Sequence, residues 1–98
     1  MPTRPDSAAM VRWRQSQTVA SVTTPDGVYV LQVDSKNPTP VLISGSGLTI
    51  WECLVVWSTV EEIVGTITSA FGVEHEAARL QITSYLGELG SRLLVERE

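Results

Sequence analysis

The sequence predicts an α+β domain in which a small antiparallel β-sheet of three to four strands is followed by three helices, as in winged-helix folds. Before residue 45, short alternating segments are separated by turn residues; after it, apolar residues recur at intervals of three and four. A chain of 98 residues, 43% of them hydrophobic, can bury one core, so we expect residues 10–98 to form a single domain. Residues 1–9 carry two prolines and no periodic pattern, and we expect a flexible N-terminus there.

Four segments have the length and alternation of β-strands. They are one around Trp13, then Thr18–Thr24, Val28–Val33 and Thr39–Ser44. The second and third are joined by Pro25-Asp26-Gly27, a turn signal because proline presets φ and glycine supplies a positive φ. In the third strand, the face formed by Tyr29, Leu31 and Val33 is wholly apolar. Pro40 cannot donate a ladder hydrogen bond, so the fourth strand is predicted to be an edge strand.

The first two helices follow a Ser-Gly-Ser-Gly break after the last strand. Ser46 is predicted to cap a first helix that runs to about Val56 and is apolar enough to be buried on most sides. A capping box opens the second helix, since a hydroxyl and a glutamate three residues later satisfy each other's backbone N–H groups. The two candidate boxes pair Ser58 with Glu61 or Thr59 with Glu62. Gly72 is predicted to end this helix.

The third helix begins after Val73 and carries two different stripes. Its predicted core stripe is Ala78, Ile82, Tyr85, Leu86 and Leu89. Its second stripe is nearly uncharged and consists of Ala77, Leu80, Ser84 and Gly87, with Gln81 beside it. Leu80 should therefore lie outside the core, where small neighbours would let another chain approach closely. Leu93–Val95 is predicted to add a short closing strand.

Residues that carry chemistry are sparse. His75 is the only histidine and Cys53 the only cysteine, whereas a zinc site needs three or four convergent ligands. The run Ser44-Gly45-Ser46-Gly47 lacks the lysine and the spacing of a phosphate-binding loop. No catalytic pair stands out in the sequence. We therefore expect a protein that is not an enzyme and that uses no metal or cofactor.

Charge and hydropathy limit the classes of partner and the cellular compartment that we expect. The net charge is −4, from seven basic and eleven acidic residues, so nucleic-acid binding is not expected. The longest apolar run, Cys53–Trp57, is far shorter than the roughly 20 residues that span a membrane. The start of the chain has no apolar run typical of a signal peptide, and a single cysteine suits a reducing compartment. These features predict a soluble, cytoplasmic protein.

Three segments carry a combined pattern: Ile43–Glu52, then Thr59–Val64, then Ile82–Leu89 with the final Leu93-Leu94. In this order they resemble the PqqD-like family of coenzyme PQQ synthesis. The family's corresponding motifs are a Leu-Asn-x-Thr-Gly/Ala junction before Ile-Trp-Glu-Leu, a Thr-Val-Glu-Glu-Ile helix start, and a closing helix with a final Leu-Leu. The resemblance covers about residues 18–95. Ser44 replaces the junction asparagine, and Val55–Trp57 replace the polar Asp-Gly turn that usually precedes the second helix.

The resemblance implies a leader-peptide recognition element of ribosomal peptide biosynthesis. Such a module is not catalytic: it binds the leader of a precursor peptide and presents it to a modifying enzyme such as a radical SAM protein, a leader peptidase or a cyclase. The leader adds as a strand to the sheet edge before the first helix and lies against the third helix, which is β-augmentation. In this chain the resemblance and the stripe together predict a peptide-binding set of Val41, Leu42, Ile43, Ser44, Ala77, Leu80, Gln81 and Ser84.

Other interpretations remain open at this stage. Val55, Val56 and Trp57 suit a structural assembly subunit of a biosynthetic complex, although they could instead pack under the N-terminal strand and Trp13. A winged-helix DNA-binding protein is disfavoured because neither candidate recognition helix is basic. An exposed edge strand also allows a strand-swapped homodimer.

Overall fold

The computed structural model describes residues 11–98 and confirms the α+β class and its three helices. The elements are β1 (Arg12–Gln15), β2 (Val19–Thr24), β3 (Gly27–Gln32), β4 (Val41–Ile43), α1 (Ser46–Cys53), β5 (Ser58–Thr59), α2 (Val60–Phe71), α3 (His75–Ser91) and β6 (Val95–Arg97). The lead-in predicted for residues 1–9 lies outside the described residues.

The strands form two antiparallel sheets of three strands each. The first has the order β2-β3-β4, and the second has the order β5-β1-β6. The strand predicted around Trp13 therefore does not join the other three; it pairs with two short strands from the helical half of the chain, through Trp13 opposite Ser58 and Arg97. Strands of two and three residues are too short to show alternation, so the sequence gives little sign of this second sheet.

Side chains reinforce the second sheet. Arg12 forms an ion pair with Glu98, and the guanidinium of Arg14 lies 4.6 Å from the ring centroid of Trp57. The backbone N–H of Gln15 donates to the carbonyl of Leu54 at 2.8 Å. Strand β1 is thereby fastened both to the end of the chain and to the turn after α1.

The core lies between the first sheet and the three helices. Its fully buried aliphatic side chains are Val30, Ile43, Ile50, Leu54, Ile63, Val64, Ile67, Ile82, Leu86, Leu89 and Leu94. Burial of each such side chain contributes about 1.5–3 kcal/mol relative to exposure. The core thus joins β3 and β4 to every helix and to the segment before β6.

The two faces of β3 point in the directions opposite to those that their polarity suggests. Val30 and Gln32 point into the protein, and the buried Gln32 side chain accepts from Thr18 Oγ1 at 2.6 Å and donates to the carbonyl of Leu93. The wholly apolar face points outward, so that Tyr29 and Val33 are exposed. Hydrogen bonding lets a polar side chain occupy the inner face at little cost. An apolar sheet face is left uncovered by the described residues.

The helix boundaries differ from the prediction at α1 and agree at α2. Helix α1 ends at Cys53, not near Val56. The N–H groups of Leu54 and Val55 bond to carbonyls only three residues back, and the carbonyl of Cys53 accepts from the buried Ser58 hydroxyl at 2.8 Å. The cap residue is Gly45, at φ 62°, and Ser46 makes no capping hydrogen bond. The second predicted capping box is confirmed, with Thr59 and Glu62 bonded reciprocally, and Gly72 ends α2.

The third helix is capped by Glu74, whose carboxylate accepts from the N–H groups of Glu76 and Ala77. These two bonds lower the pKa of Glu74. The predicted core stripe is buried except for Tyr85, which is half-buried. The closing strand starts at Val95, later than predicted, because Leu93 has φ 60° and turns the chain there.

Candidate functional site

A groove of about 380 Å³ runs between β4, the first turn of α1 and α3. We call it the β4–α3 groove. Its lining residues are Leu42, Ser44, Ser46, Gly47, Ile50, Gln81, Ser84, Tyr85 and Glu88. The successive elements β4 and α1 therefore share one surface depression with α3, which lies further along the chain.

One wall of the groove is the edge strand β4. It pairs on one side with β3, through Val28 opposite Ile43 and Tyr29 opposite Leu42, and in the described part of the chain no strand pairs with its other side. The edge position predicted from Pro40 is confirmed. A β-carbon at Gly27 would lie 2.4 Å from the Ile43 carbonyl oxygen, so glycine at this positive φ lets the turn close against β4. The backbone of β4 is thus held in place with one edge open.

The opposite wall is a stripe of α3 that contains Gln81, Ser84, Tyr85 and Glu88. Residues at these spacings share one helix face. Leu80 is 70% exposed, as expected for a residue outside the core, but neither it nor Ala77 lines the groove. The face that α3 turns toward β4 is therefore rotated by about one residue relative to the stripe expected from sequence.

The floor is formed where Tyr85 lies on the first turn of α1. A β-carbon at Gly47 would be only 2.9 Å from Tyr85 Oη, so the absence of a side chain at Gly47 allows this close packing. Burial raises the pKa of Tyr85, and the negative charge of Glu88 raises it further. The phenol is therefore a neutral hydroxyl at physiological pH.

The groove is lined by polar as well as apolar side chains. Among residues 11–98, no side-chain hydrogen bond is made by Ser44, Ser46, Gln81, Ser84, Tyr85 or Glu88. The hydroxyls of Ser58 and Ser91, by contrast, donate to backbone carbonyls. The groove offers unpaired hydroxyls, one amide, one carboxylate and an open strand edge, next to the apolar side chains of Leu42 and Ile50.

The predicted peptide-binding residues are only partly brought together. Leu42, Ser44, Gln81 and Ser84 line the groove, whereas Val41 is half-buried and Ile43 is buried in the core, so that these two offer only backbone atoms to its edge. Sequence reasoning missed Ser46, Gly47, Ile50, Tyr85 and Glu88. The spacing from Gln81 through Ser84 to Glu88 was the signal that could have found the last of these.

Away from the groove, the sequence left open how Val55–Trp57 pack. Val55 and Val56 are exposed and do not pack under β1, although Trp57 contacts Arg14 there. Across residues 11–98, His, Cys, Asp and Glu form no group of three or more that could hold a metal ion. None of the described helices is both long and apolar enough to cross a membrane.

Comparisons with known proteins agree with this architecture. The chain has the fold of "TbiB1 in Complex with the TbiA(beta) Leader Peptide", with a TM-score of 0.73 and 24% identity over 85% of this chain and 94% of that one. A search of curated proteins finds no match. The family model for coenzyme PQQ synthesis protein D (PqqD) matches residues 33–95, which is more than half of the chain and includes all of the groove. The chain therefore belongs to the PqqD family.

Proposed function

We propose that this protein is a non-catalytic module that binds the leader of a ribosomally made precursor peptide and presents it to a separate modifying enzyme. The observation that carries the proposal is the open edge of β4 beside a groove walled by α3. Membership of the PqqD family supports it, as does the likeness to a solved structure whose title names a leader peptide.

Binding occurs by β-strand addition. The leader lies as an extended strand along β4 and exchanges backbone hydrogen bonds with Val41–Ile43. Two or three such bonds, each contributing about 0.5–1.5 kcal/mol, do not give tight binding by themselves. Alternate leader side chains therefore point into the β4–α3 groove, where they bury apolar surface against Leu42 and the half-buried Tyr85 ring and bond the polar groups of Gln81 and Ser84.

Leu80 and Ala77 extend this contact beyond the groove. Both lie on the exposed side of α3, one helical turn or less from Gln81. A leader longer than the groove passes over them, so that the exposed Leu80 side chain gains an apolar neighbour. This contact completes the predicted set of peptide-binding residues.

Chemistry belongs to the partner enzyme, which is a radical SAM protein, a leader peptidase or a cyclase. A leader held only along its own backbone leaves the rest of the precursor free to enter that enzyme's active site. The module needs no cofactor for this task and acts in the cytoplasm, where ribosomal precursors are made. We propose that residues 10–98 are sufficient for it.

The outer face of the first sheet favours a second role, as an assembly subunit. Val22, Tyr29 and Leu42 lie opposite one another on adjacent strands and form an exposed apolar row across the sheet. Leu42 also lines the groove, so this row is continuous with the bound leader. Exposed apolar patches often mark protein interfaces, and a modifying enzyme that covers this row would contact module and leader together.

The test begins with the neighbouring genes, among which this function predicts a short precursor peptide and a modifying enzyme. Calorimetric titration should give a one-to-one complex, and peptides N-methylated at alternate leader positions should lose binding only at the positions whose N–H groups face β4. Omission of the module should slow modification of the precursor by the neighbouring enzyme. A precursor that does not bind, or that is modified equally fast without the module, would refute this function.

A further inference from the structure

Among residues 11–98, Glu88 is the only acidic or basic residue that lines the β4–α3 groove. It lies near the end of α3, where the exposed backbone carbonyls make a negative charge unfavourable, and the last turn of this helix contains no basic residue. Within residues 11–98 it forms no ion pair, whereas Glu61, Glu76, Glu96 and Glu98 each contact a basic side chain. The exposed carboxylate of Glu88 is therefore hydrated but has no cationic partner among the described residues.

The remainder of the groove does not cancel this charge. Its other lining side chains are neutral, and the amino end of α1 at Ser46 and Gly47 supplies only about half of a positive charge. The field of Glu88 reaches the floor of the groove, since it contributes to the raised pKa of Tyr85. The net charge of −4 for the whole chain acts in the same direction.

Resting on the peptide-binding function proposed above, we infer that the bound leader carries a lysine or arginine side chain opposite Glu88. A basic side chain there would satisfy the Glu88 carboxylate and the negative end of α3 at once, while its aliphatic stem packs beside the Tyr85 ring. Glu88 then selects charge in the ligand, and the exposed Leu42 selects apolar neighbours. The preference for a basic over a neutral side chain should be about two- to fivefold in affinity, as for exposed ion pairs.

The test is selection of binders from a library of random peptides displayed on phage, with three forms of the full chain as bait. The wild-type protein should enrich Lys or Arg at one position within an extended apolar motif. The Glu88→Lys variant should enrich Asp or Glu at that same position, and it should remain folded because a basic residue suits the end of a helix. The control is Glu52→Lys, which makes the same charge change at an exposed position of α1 outside the groove and should retain the wild-type preference.

The outcomes separate this inference from the function on which it rests. Enriched peptides without a basic position, or an unchanged preference in Glu88→Lys, would overturn the inference and leave peptide binding intact. Failure to enrich any peptide on the wild-type protein would overturn both. A second readout is the ultraviolet titration of Tyr85 in the Tyr29→Phe variant, with tyrosine-free peptides: a bound peptide with arginine should lower the pKa of this phenol, and the same peptide with glutamine in place of the arginine should not.

Discussion

The two sheets of this domain differ in how their side chains and edges are used. In the β5-β1-β6 sheet, ion pairs from Arg12 and Arg14 and the stacking of Arg14 on Trp57 fasten strands from both ends of the chain. In the β2-β3-β4 sheet, the outer face is apolar and exposed, and no described strand pairs with the outer edge of β4. One sheet uses its side chains to hold the fold together, and the other leaves backbone and apolar groups available for a partner.

This contrast separates stability from binding. Changes in the core or in the β5-β1-β6 sheet should lower the free energy of unfolding, whereas changes at the β4–α3 groove should mainly lower peptide affinity. Variants in each region, compared for stability and for peptide affinity, test that separation.

The largest effect is expected on the buried side of α3. Ile82→Asp places an unpaired charge in the core, where Ile82 has no exposed surface, and should destabilise the domain by more than about 4 kcal/mol. Leu80→Asp, on the exposed side, should change stability by only about 0.5 kcal/mol and weaken peptide binding. Chemical denaturation measures the free energy of unfolding of both variants. An equal loss of stability in the two would show that the orientation of α3 is wrong.

The next effect concerns the β5-β1-β6 sheet. Trp13 packs against the core, and its ring lies 5.9 Å from the guanidinium of Arg97. Because it is only partly buried, Trp13→Ala should cost about 2–3 kcal/mol, less than full removal of a buried aromatic side chain. Peptide affinity, measured by calorimetry where the variant is folded, should not change. A large loss of affinity would show that the two sheets do not have separate roles.

A smaller effect is expected from the floor of the groove. Gly47→Ala forces the Tyr85 hydroxyl to move into the groove, which should lower peptide affinity by about tenfold, equivalent to about 1.4 kcal/mol. Stability should change by less than about 1 kcal/mol, since only the far end of a side chain has to shift. Gly87→Ala is the matched control, because its β-carbon would meet nothing within 4 Å. Similar affinities for the two variants would count against the groove.

The smallest effect is a pH dependence at Tyr85. The pKa of this residue is raised in the folded state by burial first and by Glu88 second. Above about pH 10, the ordinary tyrosine pKa, the unfolded chain loses this proton while the folded chain keeps it, so stability should fall as pH rises. Denaturation curves of the wild-type protein and Tyr85→Phe measure the difference. An identical decline in both would exclude a contribution from Tyr85.

The sequence predicted the features that depend on local chemistry. The Thr59–Glu62 capping box, the Gly72 helix end and the edge position implied by Pro40 all follow from hydrogen-bonding groups or φ angles of neighbouring residues. The second sheet depends instead on long-range pairing of strands with two and three residues, which no periodicity reveals. The inward position of Gln32 needs partners from Thr18 and Leu93 that are brought near only by folding.

The sequence predicted only part of the groove, because the rest of its lining depends on contacts that form on folding. Residues on β4 follow from its edge position, but Tyr85 could be assigned to the groove only once its contact with Gly47 was known. On sequence alone, Tyr85 fits the core stripe of α3 equally well. The face of α3 at the groove is shifted by about one residue from the predicted stripe. Glu88 therefore lines the groove, and Leu80 does not.

The central claim is that a leader peptide adds to β4 within the β4–α3 groove. It is tested most directly by titrating the precursor's leader into isotope-labelled protein and following the backbone amide signals. We predict that the signals of Val41–Ser44 and of Gln81–Glu88 shift together and saturate at the same peptide concentration. Shifts confined to Val55–Trp57 and β1, with the β4 signals unchanged, would contradict the claim and favour a purely structural assembly role.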